Sequence, residues 1–177
     1  MMKKKLVFIG DSLTEWFDWA KRFPSYDVQN LGISGERVEG LLARRERIRS
    51  QVNAPDFVFL MSGINNLAGG QEEIEAPYRE FVRNLTTWYK QARVVVQSVL
   101  PTDMTWIESS TIEGVNRKLS AIAREFHAEY LDVYRLFLHN SGKTRSELLD
   151  EDGVHLSRKG YVVWADEVER FLRKNVK

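Results

Sequence analysis

Five short apolar runs punctuate the chain. Between them lie longer stretches whose apolar residues recur three or four positions apart. Lys5 to Ile9 reads as a buried strand, Tyr26 to Asn30 as a weaker one, and Phe57 to Met61 as a strong one introduced by Pro55. Arg93 to Leu100 is stronger still and is stopped by Pro101, and Tyr130 to Val133 is the fifth. Continuous runs with β-branched residues suit strands covered on both faces. The intervening stretches carry helical stripes. Val38, Leu41, Leu42 and Ile48 form one, and Ile74, Tyr78, Phe81, Leu85 and Trp88 a second. Val115, Leu119, Ile122 and Phe126 form a third. Tyr161, Trp164, Val168, Phe171 and Leu172 form the last, with Ser157 placed to cap it.

Strand and helix in strict alternation predict an α/β fold, with helices on both faces of a parallel sheet. Five strands favour a three-layer, flavodoxin-like sandwich with strand order 2-1-3-4-5. With 177 residues and no repeat, linker or low-complexity segment, residues 1–177 are expected to form a single domain. Ligands of such sheets bind beyond the carboxyl ends of the strands. Ser12, Gly32 and Asn65 each follow a predicted strand, so the pattern gathers them on one rim.

Composition narrows the function. Hydrophobic residues at 43% and charged residues at 29% describe a globular chain. A net charge of +1 argues against a nucleic-acid partner, which needs a basic excess on one face. The local basic string Arg44 to Arg49 reads as a solvated helix face. The absence of cysteine removes disulfides, thiolate catalysis and cysteine-bound metals. No metal-ligand cluster stands out, and no metal or cofactor is expected. Lys3-Lys4-Lys5 precedes only a brief apolar stretch, too short for a signal peptide, and no run approaches the roughly 20 residues of a membrane span. A cytoplasmic location without a membrane span is the expectation, although a processed precursor would conceal its signal. The sequence leaves a homo-oligomer open.

Candidate chemistry begins at Ser12. A serine hydroxyl is a weak nucleophile until a base lies within hydrogen-bond reach. Ser12 also reads as the cap of a helix through Leu13 to Trp19, and the two roles are compatible. Of the three histidines, His155 lies three residues after Asp152 with Gly153 between them. That spacing lets a carboxylate reach the imidazole, fix its tautomer and stabilise the imidazolium that forms. The other reading is a turn aspartate and a surface histidine before a helix. Gly32 N–H, the Asn65 side chain and Ser12 N–H are neutral donors suited to an oxyanion, although Gly32 and Asn65 also read as turn residues.

These strings resemble the SGNH hydrolases, also called the GDSL esterases and lipases, marked by four blocks whose key residues are Ser, Gly, Asn and His. The blocks are Gly10-Asp11-Ser12-Leu13, the glycine of Asn30-Leu31-Gly32-Ile33-Ser34-Gly35, Gly63-Ile64-Asn65-Asn66 and Asp152-Gly153-Val154-His155. The resemblance implies Ser12 as nucleophile, His155 as base, Asp152 as third triad member, and an oxyanion hole of Ser12, Gly32 and Asn65. It also implies a flavodoxin-like sheet. One departure stands at Asn66, where the family more often has Asp. It removes a charge beside the site and bears on what supports Asn65, not on the donor itself.

The expected activity is cleavage of a small-molecule carboxylic ester through an acyl-enzyme, with acetyl or another short acyl group as first choice. Lysophospholipid or thioester cleavage by the same steps is an alternative. A non-catalytic flavodoxin-like binding module is another, and Ser12→Ala would leave it unaffected. A nucleotide-binding protein is disfavoured, because Gly-x-x-x-x-Gly-Lys-Ser/Thr is absent and no Gly-x-Gly-x-x-Gly follows the first strand. Trp16 and Trp106 are candidate substrate-binding residues. Trp16 follows the nucleophile, and Trp106, with Met104, follows the fourth strand and is expected to overhang the rim.

Overall fold

The apolar runs become one parallel sheet in a computed structural model that describes residues 3–176. The amino-terminal half runs β1 (Lys5–Gly10), α1 (Ser12–Glu15), α2 (Trp19–Arg22), β2 (Asp27–Gly32), α3 (Val38–Ala43), α4 (Arg45–Gln51) and β3 (Phe57–Met61). The remainder runs α5 (Ile64–Ala68), α6 (Glu75–Trp88), β4 (Arg93–Gln97), α7 (Ser109–Glu125), β5 (Glu129–Leu131) and α8 (Arg158–Asn175). The strand order is β2-β1-β3-β4-β5, all parallel, as the alternation predicts. Among the described residues, no helix is long and apolar enough to cross a membrane.

Successive side chains of a strand face opposite ways, so each buried strand feeds two cores. Phe8 stacks on Phe59 of the neighbouring strand and on Trp19 of α2, with centroids 5.0 and 4.0 Å apart. Trp19 meets Trp164 edge-on, and Phe171 lies edge-on to Phe57 and Phe59, so α2 and α8 cover this face. On the other face α3, α6 and α7 lie side by side, and Arg49 of α4 sits over the Trp88 ring of α6.

Several boundaries differ from the pattern, for identifiable reasons. The apolar run at 93–100 stays buried, yet β4 ends at Gln97, where β5 offers its last partner in Leu131. Beyond it the Asn116 side chain accepts from Val99 N–H at 2.8 Å and donates to Val99 C=O at 2.9 Å, which replaces a ladder. β2 starts one residue later than its apolar run and continues to Gly32, opposite Gly10. The fifth strand is Glu129–Leu131, a residue earlier than expected at its start and two shorter at its end. The stripe at 38–48 splits at Arg44, whose guanidinium turns back to Glu36 and to the Leu31 carbonyl. The helix expected through Leu13 to Trp19 is two short helices, and Asp18 caps the second by accepting from Lys21 N–H.

Candidate active site

β1, β2 and β3 end level with one another, since Gly10 pairs with both Gly32 and Met61. The segments that follow form a cleft of about 280 Å³, whose lining includes Ser12, Gly35, Asn65 and His155. Ser12 is the first residue of α1 and is not its cap. Asp11 takes that place, its Oδ1 accepting from Leu13 N–H at 3.0 Å. An aspartate in this position leaves the serine hydroxyl uncommitted to the helix. The N–H of Ser12, at the start of the helix, has no carbonyl a turn behind it inside α1. The Asp11 carboxyl is buried, and burial pushes its pKa up to about 7. The Leu13 N–H and the nearby His155 oppose that rise.

His155 comes to Ser12 from 143 residues away. Ser12 Oγ–H donates to His155 Nε2 at 2.9 Å, and His155 Nδ1–H donates to Asp152 Oδ2 at 2.5 Å. An ionised carboxylate only accepts, so this arrangement requires the Nδ1–H tautomer, which leaves Nε2 free to receive the serine proton. The short spacing works because Asp152 uses both oxygens. Oδ1 accepts from the Val154 and His155 backbone N–H groups at 2.9 and 2.8 Å, and Oδ2 is left for the ring. Gly153 makes the turn with φ +70°. Its carbonyl accepts from Asp103 N–H and from the Thr102 hydroxyl, which ties the loop to the segment after β4. Partial burial works against ionisation of Asp152. The hydrogen bonds from the His155 ring and from the Val154 and His155 backbone outweigh it and hold the pKa below the usual carboxylate value.

Asn65 lies near the start of α5 and lines the same cleft. One Nδ2 proton goes to the Glu36 carbonyl at 3.0 Å, which orients the amide and leaves the second proton available. Asn66 supports this arrangement. Its Oδ1 accepts from Val38 N–H at 3.0 Å, at the start of α3, and its Nδ2 donates to Glu39 and Gln71. An aspartate at 66 would oppose Glu39, so the departure from the family's usual residue fits its surroundings.

The glycine expectation needs correction. Gly32 N–H is already spent, donating to Asn30 Oδ1 at 3.0 Å. A Cβ on Gly32 would stand 2.4 Å from Glu15 N, so the glycine serves the close approach of α1 to β2. Gly35 reaches the cleft instead. It occupies the third position of the turn 33–36, closed by Glu36 N–H to Ile33 C=O, with φ +75°. Among the described residues its N–H has no hydrogen-bond acceptor. Both glycines stand in the string Gly32-Ile33-Ser34-Gly35, just beyond the apolar run that predicts the second strand.

Of the two tryptophans expected at the substrate, only Trp16 lines the cleft, and its ring lies on His155. Trp106 is 66% exposed and donates from Nε1 to the Ala68 carbonyl at 3.3 Å, away from the lining residues. Met104 lines the cleft from the segment after β4.

The sequence pattern of the GDSL-like lipase/acylhydrolase family matches residues 8–163, which include every residue of this cleft. Platelet-activating factor acetylhydrolase IB subunit alpha1 of Rattus norvegicus is 30% identical over 166 residues, covering 89% of this chain and 70% of that protein. Two solved structures share the fold. A GDSL-like lipase from Bacteroides thetaiotaomicron superposes with a TM-score of 0.78 at 22% identity, over 98% of this chain and 89% of its own. A mutant form of an acetyl-xylooligosaccharide esterase from Geobacillus gives 0.76 at 24% identity, over 99% and 95%. With the pattern matched from the first strand into the last helix, this chain belongs to the GDSL-like lipase/acylhydrolase family and is a carboxylic ester hydrolase.

Proposed function

We propose that the chain removes acetyl or other short acyl groups from small alcohols or sugars, with Ser12 as nucleophile, His155 as base and Asp152 as the carboxylate that orients it. The carrying observation is the 2.9 Å contact between Ser12 Oγ and His155 Nε2, backed by Asp152 on the far side of the ring. His155 takes the hydroxyl proton as Oγ attacks the ester carbonyl. The oxyanion is held by Ser12 N–H, Gly35 N–H and the free Asn65 amide proton. His155 then protonates the departing alcohol as the carbonyl re-forms. A water molecule, deprotonated by the same imidazole, releases the acid and returns the proton to Ser12.

A short acyl group is supported by the small cleft, about 280 Å³, and by two similar proteins whose names specify acetyl esters. A fluorophosphonate probe should label the unsubstituted chain and fail on Ser12→Ala. Asn65→Ala should lower kcat by about 10²–10³, the usual loss for one oxyanion donor. Across nitrophenyl esters from acetyl to decanoyl, kcat/KM should be greatest at the short end. Labelling that survives Ser12→Ala, or a preference for decanoyl, would overturn the nucleophile or the acyl-length assignment respectively.

A further inference from the structure

The Trp16 indole lies face to face with the His155 imidazole, centroids 4.0 Å apart and planes 15° from parallel. Its other side is open, for the residue is 57% exposed. We propose that Trp16 is a positioning residue for the base: it holds the imidazole against Ser12 and stabilises the imidazolium formed when the serine proton is taken. This role rests on the acyl-transfer reading above.

Two observations carry it. First, both hydrogen bonds of the imidazole lie in the plane of the ring, at Nε2 and Nδ1. Neither resists tilting out of that plane, and the Asp152 side chain on one edge is about half exposed. A flat partner on the ring face supplies the missing restraint. Second, the indole is itself fixed. Trp16 Nε1–H donates to Ser34 Oγ at 2.9 Å, and Ser34 donates from its hydroxyl to Glu15 Oε2 and from its backbone N–H to the same oxygen at 2.8 Å. A tryptophan lying loosely on the surface would not need its ring nitrogen tied to a carboxylate through a serine. Ser34 also precedes Gly35, so one turn anchors the cover of the base and carries an oxyanion donor.

The electrostatics follow from the geometry. A cation over an indole face meets the negative side of its quadrupole, and Trp is the best ring for this. The charge on His155 appears only after the serine proton moves, so the attraction favours the tetrahedral state over the resting enzyme. Asp152 on its own loop holds one edge of the imidazole, and the buried Asp11, one residue before Ser12, is near enough to be influenced by its charge. Glu15 lies behind the indole, and Asp103 packs against Gly153. Glu36 on the oxyanion turn is neutralised by Arg44 at 2.6 Å. All but that pair are acidic, so a neutral aromatic face can cover the ring without opposing its charge.

With nitrophenyl acetate, Trp16→Ala should lower kcat about 2- to 30-fold, the range implied by cation–π attraction, with KM within about twofold. Trp16→Phe keeps a flat ring without the anchor and should recover most of the loss. A wall for substrate behaves differently: a rise in KM at unchanged kcat in Trp16→Ala would overturn the proposal. A second readout needs no turnover. Trp16 emission, taken as the difference between the unsubstituted chain and Trp16→Phe, should be quenched as His155 is protonated, and the step should vanish in His155→Asn. Emission that does not respond to pH would overturn the stack. An intact quench in protein that captures no fluorophosphonate would support the stack and overturn the acyl-transfer reading instead.

Discussion

Asp11 carries its carboxyl in a fully enclosed position, with one oxygen on Leu13 N–H and the other without a hydrogen-bond partner among the described residues. Burial raises its pKa from 3.8 to about 7. The folded chain therefore binds a proton between those values that the unfolded chain has released. Stability from this group is fully present below about pH 3.8 and is lost as pH rises toward 7. Asp11→Asn keeps an oxygen for Leu13 N–H and removes the titration. Its melting temperature should fall less between pH 4 and 7 than that of the unsubstituted chain, as differential scanning calorimetry would show. Asp152 has the opposite sign. Its lowered pKa contributes stability above the ordinary carboxylate value, lost only as the solution turns strongly acid.

The close approach of α1 to β2 sets where Ser12 stands, and Gly32 is what permits it. Gly32→Ala would put a methyl group 2.4 Å from Glu15 N and 2.9 Å from the Asp11 carbonyl, both backbone atoms with little freedom to move. Chemical denaturation should show a loss of about 1–3 kcal/mol, as overpacking gives. Gly35→Ala meets no neighbour, and its cost should come from the left-handed backbone alone, about 1 kcal/mol. Which glycine does which task was not legible in the sequence, because both flank one strand end. Only the fold reveals that Asn30 has already taken the Gly32 N–H. The strands were legible, since Leu6 to Ile9, Phe57 to Met61 and Val94 to Val96 leave few alternatives to burial in a sheet. The end of β4 was not, because the apolar pattern continues through Leu100 while a distant side chain, Asn116, takes over its hydrogen bonds. The Asp152–His155 pair was legible because its contact is local. The stack of Trp16 on His155 joins opposite ends of the chain and leaves no trace in any periodicity.

At the scale of the whole molecule, the placement of His155 depends on how the last helix docks. Trp164 of α8 is completely buried against Trp19 and donates from Nε1 to Gln97 Oε1 at 2.7 Å. Trp164→Ala would empty that space and leave the buried Gln97 oxygen without this donor, a loss of about 3–5 kcal/mol. Thermal unfolding should report it as a lower midpoint, with activity lost in the same transition, since the loop bearing His155 leads directly into α8. The 143-residue separation of Ser12 from His155 also has a consequence during synthesis. At ribosomal speeds, Ser12 emerges roughly 7–30 s before its imidazole. On the proposed roles, a nascent chain that lacks His155 carries a hydroxyl with no base to activate it, so hydrolysis should begin only once that residue has been made and docked.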